Sequence, residues 1–275
     1  MFFAMPVLAF ALFMAPGAEA DCRLPDPVRQ QMRQVSSLPD GLAHYNRGLD
    51  YYDYHCYSEA SAELRSAVTV LSALPQPSTK EKELLGLSRS ARALMEAHLR
   101  LSSDRVTALD DMLAVAQHTF PSVVKVDATM DLTRLLAPDA PQWAQLERVL
   151  LTLADQGYWQ ATKVVAHRKL ARGEDASAYL QQQLANARRV EFGHAIRIIL
   201  ADVWRASGRT LEAWLLIRSI ERPVGEQVLD PELRLEFLRV AAAVADGRGR
   251  TGDTEAASAA AIYEMARRDV EAGRR

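Results

Sequence analysis

Apolar residues in this chain return every three or four positions and almost never every second one. Leu146, Val149, Leu150, Leu153 and Ala154 form one such stripe, and Ile196, Ile199, Leu200 and Val203 form another. That spacing lays apolar side chains along one face of a helix. Sustained polar–apolar alternation, which half-buried strands need, is missing from the sequence, and the strong helix formers Leu, Ala, Arg, Glu and Gln dominate it. The stripes break at Leu38-Pro39-Asp40-Gly41, Pro75-Gln76-Pro77-Ser78, Phe120-Pro121-Ser122, Pro138-Asp139-Ala140-Pro141, Gly173-Glu174-Asp175 and Gly225. Several of these breaks place Pro, Asp or Ser where the next helix needs a cap or first-turn residue. The pattern predicts an all-α fold of about ten helices, each of roughly 12 to 20 residues, joined by short loops. The 275 residues are 49% hydrophobic and 25% charged, ordinary globular values. A formal net charge of −2 offers no electrostatic footprint for nucleic acid or an anionic membrane.

The N-terminus has a different character. Phe2 to Met14 are almost all apolar, Ala15-Pro16-Gly17 ends that run, and Ala18-Glu19-Ala20 supplies a small-x-small cleavage site. Residues 1–20 therefore read as a secretory signal peptide, although no Lys or Arg precedes the apolar core. An uncleaved membrane anchor is the alternative; the shortness of the run and its Pro6 and Pro16 argue against it. Asp21 before Cys22 argues against lipid attachment. The expected destination is the periplasm, with no stable membrane insertion after cleavage. Cys22 and Cys56 are the two cysteines, and an even count in an exported chain suggests a bridge between them. The bridge would tether an N-terminal tail, 21–38, to the helical domain expected over 39–275. Without Cys-x-x-Cys there is no redox or haem-attachment motif, and two cysteines with His55 beside one do not make a closed four-ligand metal set.

Within 39–275 the sequence partly repeats itself. Gly48, Tyr51, Tyr57, Ala60, Leu64 and Ala67 are spaced +3, +6, +3, +4 and +3, and the same offsets from Ala201 select Trp204, Thr210, Ala213, Ile217 and Ile220. From Val149 they select Thr152, Tyr158, Ala161, Val165 and then Arg168, which breaks the pattern. Weaker copies centre on Ala108, with Met112 and Val115, and on Ala257 and Ala261 after what reads as a lengthened loop. This pattern resembles the tetratricopeptide repeat, best over 42–73 and 195–223 and fairly over 143–170. Small residues such as Gly48 and Ala201 would let an antiparallel partner approach at Ala60 or Ala213, while Tyr51 or Trp204 fills the space beside them. The departures are that His44 and Arg47 stand where the family carries apolar side chains, and that the Ala anchors lie 48, 53, 52 and 44 residues apart rather than about 34. Extra helices, for example Ala176 to Arg189, must be inserted. The resemblance implies a degenerate right-handed α-solenoid of antiparallel helix pairs rather than a closed bundle.

Chemical motifs are sparse. Gly247-Arg248-Gly249-Arg250-Thr251-Gly252 spells G-x-G-x-x-G, but it follows a Leu/Ala/Val helix rather than a strand and reads as a flexible helix–helix loop. His44, His55, His98, His118, His167 and His194 form no metal-binding spacing, and Asp110-Asp111 point about 100° apart on a helix. Neither G-x-S-x-G nor any nucleophile with an assignable base occurs. The expectation is no catalytic residue, no cofactor and no metal. The run Lys163, Arg168, Lys169, Arg172, followed by Arg188-Arg189, reads as a solvated face, with an acidic partner surface as the alternative.

By the same resemblance, the first helix of each pair would line a concave wall. It would carry Tyr45, Leu49 and Tyr52 in the first copy, Arg100 in the copy around Ala108, Trp143, Leu146 and Leu150 in the 143–170 copy, and Ile198, Asp202 and Arg205 in the 195–223 copy. Such a groove implies a protein or peptide partner anchored by Tyr, Trp and Arg. The implied role is an exported adaptor or scaffold in an envelope process such as secretion, pilus or polymer export, or outer-membrane assembly. A structural subunit without a groove and an all-helical hydrolase or lyase are the competing readings.

Overall fold

The computed structural model describes residues 22, 24–26, 28, 30, 38–117, 123–226 and 230–273, with the side chains of 221–226 excepted. The expected signal peptide, 1–20, and His118 lie outside the described residues. Twelve helices follow one another here and no strand is present among the described residues: α1 (Asp40–Asp53), α2 (Tyr57–Ser72), α3 (Thr79–Arg100), α4 (Arg105–Ala116), α5 (Val123–Leu135), α6 (Trp143–Asp155), α7 (Trp159–Ala171), α8 (Ala176–Ala185), α9 (Val190–Ala206), α10 (Thr210–Glu226), α11 (Pro231–Gly249) and α12 (Thr254–Glu271). The all-α expectation holds, with two helices more than the breaks suggested. The helix inserted after Gly173 is α8, which ends at Ala185 rather than Arg189. Starts follow the sequence signals: Ser78 caps α3 in a reciprocal capping box with Glu81, and Asp104, Asp175, Asp230 and Asp253 cap α4, α8, α11 and α12.

The chain divides into two compact units, Met1–Ala128 and Thr129–Arg275. In the first, α1 packs on α2, α2 on α3 and α3 on α4, and α1 also touches α3. In the second, neighbours from α6 to α12 pack in succession, and α9 lies against α7, α8, α10 and α11 together. Gly48 is a point of close approach. A Cβ there would sit 2.6 Å from Leu64 Cγ and 3.4 Å from the Ala60 carbonyl, so α2 comes as near to α1 as glycine allows. Ala201 and Ala213 are fully buried together in the core shared by α9, α10, α11 and α12. Ala60 and Ala161 are likewise fully buried.

One turn geometry recurs. α1–α2, α6–α7 and α9–α10 are each joined by three residues, and the middle one, His55, Gly157 or Gly208, has φ of +59°, +91° or +79°. In each turn the next residue donates its N–H five positions back: Cys56 to Tyr51 (3.0 Å), Tyr158 to Leu153 (3.0 Å) and Arg209 to Trp204 (2.8 Å). This is the Schellman closure of a helix end, which needs a left-handed residue. Relative to its anchor Val149, the 143–170 copy turns one residue later than the other two.

The G-x-G-x-x-G segment is not a long loop. Gly247 and Gly249 belong to α11, and Arg250–Asp253 alone make the turn into α12. A Cβ on Gly249 would lie 2.9 Å from Ala257 Cα, so the glycine serves close helix packing, not a phosphate cradle. Cys22 and Cys56 form a disulfide, with Cα atoms 5.5 Å apart, and bring Leu24 and Val28 against Tyr51. No helix among the described residues is long and apolar enough to cross a membrane.

Candidate functional site

Three helices of the second unit bring opposite charges into one network. Asp202 on α9 accepts Arg205 Nε (3.1 Å) and Nη2 (2.8 Å) at Oδ1, and Arg239 Nη2 from α11 (2.9 Å) at Oδ2. Glu236, one turn before Arg239, accepts Arg239 Nε (3.1 Å) and Nη2 (2.7 Å), and also Lys163 Nζ from α7 (2.9 Å). His167 Nε2, also on α7, stands 3.4 Å from Asp202 Oδ2. The two signs are layered by depth. The Asp202 and Glu236 side chains are 3% and 9% exposed, whereas Lys163, Arg205 and Arg239 are 31%, 34% and 43% exposed. Buried carboxylates thus orient cationic side chains that stay partly exposed.

Electrostatics fix the charge state of this layer. Burial opposes ionisation of Asp202, but His167, Arg205 and Arg239 outweigh it and hold the carboxyl well below the usual carboxylate range. Glu236 is held down in the same way, burial being overcome by Arg239 and Lys163. Hydrogen bonding to Glu236, against its own burial, raises Arg239 further above the usual guanidinium value. Both acids therefore stay ionised and act as anchors for guanidinium groups. Beyond Arg239 an open furrow of about 590 Å³ runs between α11 and α12, floored by Ala242, Ala243 and Ala260 and edged by Arg239, Asp246, Glu264 and Arg267.

Of the expected groove residues, Asp202 and Arg205 belong to this network, Asp202 as its buried centre. Trp143 does not line an open groove. It is 7% exposed, donates from Nε1 to the Ala137 carbonyl (2.8 Å), and is covered by Arg168, whose guanidinium carbon lies 3.6 Å from the ring centroid. Leu146, Leu150 and Ile198 are also buried. The stacking explains why Arg168 breaks the repeat pattern: a cation over an indole face occupies the apolar slot. In the first unit, Tyr52 is held in a ring cluster with Tyr57 and His98, the latter two stacked at 4.3 Å. Tyr45 is half-buried, its hydroxyl pushed up by burial and by Asp127. Arg100 pairs with Asp111 beside a smaller furrow of about 360 Å³ between α3 and α4. His44 and Arg47 reach Glu63 of α2, at 2.7 and 3.0 Å, so a polar bridge joins α1 to α2 there. Trp204 is wedged between two cores and donates to Ser177 Oγ (3.2 Å), with Arg209 over its face.

The basic run is matched within the molecule, Lys163 to Glu236, Lys169 to Glu174 and Arg172 to Glu147. Sequence reasoning missed Glu236 and Arg239. The one available signal was their i, i+3 spacing on a helix otherwise rich in Leu, Ala and Val. Compared with protein-family models, curated proteins and solved structures, the chain finds no match.

Proposed function

We propose that this chain is an exported, tetratricopeptide-like adaptor that binds a protein or peptide partner through the face formed by α7, α9 and α11. The observation that carries the reading is the depth-sorted network around Asp202: two buried, ionised carboxylates hold Lys163, Arg205 and Arg239 in place, and these three side chains stay partly exposed. Cations positioned in advance lose little freedom on binding, which favours recognition of a partner's polar groups. The recurring three-residue turn, the buried small residues at Gly48, Ala60, Ala201 and Ala213, and the contacts of α9 with α7 and α11 support a repeat-type arrangement. A disulfide between Cys22 and Cys56 is compatible with export. An envelope process is the setting this reading favours.

The test is affinity capture from envelope extracts with the tagged full chain, followed by mass spectrometry. Wild type is compared with Lys163→Ala plus Arg205→Ala, and helical circular dichroism verifies that the variant is folded. Loss of a partner from the folded variant supports the reading. Equal capture of the same partner by both proteins refutes this face as the binding surface.

A further inference from the structure

In the first unit a second constellation surrounds the disulfide. Cys56 occupies the N-cap of α2, and Glu59 lies three positions on, in the first helical turn. The i, i+3 spacing puts the Cys56 sulfur and the Glu59 carboxylate on one side of the helix start. The tail brings Cys22 to the same place, and the two sulfurs and a Glu59 carboxylate oxygen all lie within 4.8 Å of one another. Two thiolates and a carboxylate are ligands of borderline-soft divalent ions. A thiolate at a helix N-terminus is favoured by the helix dipole, which makes Cys56 a ready ligand once freed. His55 is the metal-binding side chain beside Cys56 in the sequence. His55 instead turns its Nδ1 to Tyr57 Oη at 3.0 Å, and Glu59 is the group that the fold supplies.

We propose that opening the Cys22–Cys56 bridge converts this corner into a Zn²⁺ site with Cys22, Cys56 and Glu59 as ligands and the fourth position left to water. The bridge is opened by a dithiol reductant: the Cys22–Cys56 S–S bond breaks, an S–S bond forms within the reductant, and two electrons and two protons pass to the cysteines. Zn²⁺ then displaces those two protons and forms two Zn–S bonds and one Zn–O bond. Tetrahedral coordination at about 2.3 Å per sulfur separates the two sulfurs to roughly 3.8 Å. That is a change of under about 2 Å from bonded contact, which side-chain rotation can supply. The N-terminal tail is thus held by a covalent bond in the oxidised chain and by the ion in the reduced one.

The test uses the full chain, reduced with dithiothreitol under argon, desalted, and titrated with Zn²⁺ against a chromophoric chelator. Native mass spectrometry reports stoichiometry, and Cd²⁺ substitution reports thiolate charge-transfer absorbance. The expected result is one Zn²⁺ per reduced chain and none per re-oxidised chain. Affinity should fall by about tenfold or more in Glu59→Gln and be lost in Cys56→Ser. Binding by the oxidised chain, no binding by the reduced chain whether folded or not, or unchanged affinity in Glu59→Gln would each overturn the proposal.

Discussion

Asparagine at position 202 is the sharpest perturbation of the charged face, because it keeps the side-chain shape and removes one charge. Asp202 accepts three hydrogen bonds, two from Arg205 and one from Arg239, at 2.8 to 3.1 Å. Bonds to a charged group each contribute about 1.5–3 kcal/mol. Both guanidinium groups keep about a third or more of their exposure and recover water when released, so the total must be discounted heavily. Asn also relieves the desolvation that burial imposes on the carboxylate. A net loss of about 2 kcal/mol follows, followed by urea unfolding at pH 7 with circular dichroism. Arg239→Gln should cost a similar amount, since Asp202 and Glu236 are both left with fewer cations. Because the two changes break the same network, the double variant should fall short of the summed losses by about 1 kcal/mol. The pH dependence has a fixed sign. The Asp202 and Glu236 carboxyls are depressed in the folded chain, so their stabilisation is complete above the ordinary carboxylate range and is lost as pH falls through and below it. The deficit of Asp202→Asn must therefore shrink on acidification. A variant within about 0.5 kcal/mol of wild type at pH 7, or strictly additive losses, would refute the account of buried carboxylates organising the cations.

Other positions give separate tests. A Cβ on Gly249 meets the Ala257 backbone, whereas one on Gly86, mid-helix in α3, meets nothing within 4 Å. Gly249→Ala should therefore lose about 1–3 kcal/mol, and Gly86→Ala should gain up to about 1 kcal/mol, in thermal or urea unfolding. His194 is buried with neither ring nitrogen hydrogen-bonded, and burial together with Arg197 lowers its pKa. Below the ordinary histidine range the unfolded chain takes up a proton that the fold resists, so stability should decline as pH falls from 7 to 5, and His194→Leu should flatten that slope. Replacing Cys22 and Cys56 together by Ser releases a loop with a sequence separation of 34, and should cost about 4 kcal/mol of the first unit's stability, read by urea unfolding with and without reductant. His55 holds a left-handed backbone that glycine adopts in the equivalent turns, so His55→Gly should be neutral or stabilising by up to about 1 kcal/mol in thermal unfolding.

Helix class, most helix starts and the small residues at close approaches were legible in the sequence because they are local or periodic properties. A 3.6-residue stripe, a capping Ser78 and a Gly48 matched to Ala60 each follow from a few neighbouring residues or one matched pair. The end of α11 was not legible. Three glycines in six residues signal a loop, yet helix geometry persists to Gly249 because Ala257 packs against it. Trp143 misled for a related reason: alone it suggests surface recognition, yet Arg168, which reads as part of a solvated basic face, covers its ring.

The sequence by itself determined that this chain is a succession of amphipathic helices, since hydrophobic periodicity and capping chemistry act over single turns. Tertiary structure alone decided which charges meet. Lys163, Asp202 and Glu236 come from three helices more than thirty residues apart, and whether a carboxylate is solvated or buried under a guanidinium depends on how those helices lie against one another. Electrostatic energy depends on distance and local dielectric, and neither is encoded in spacing along the chain.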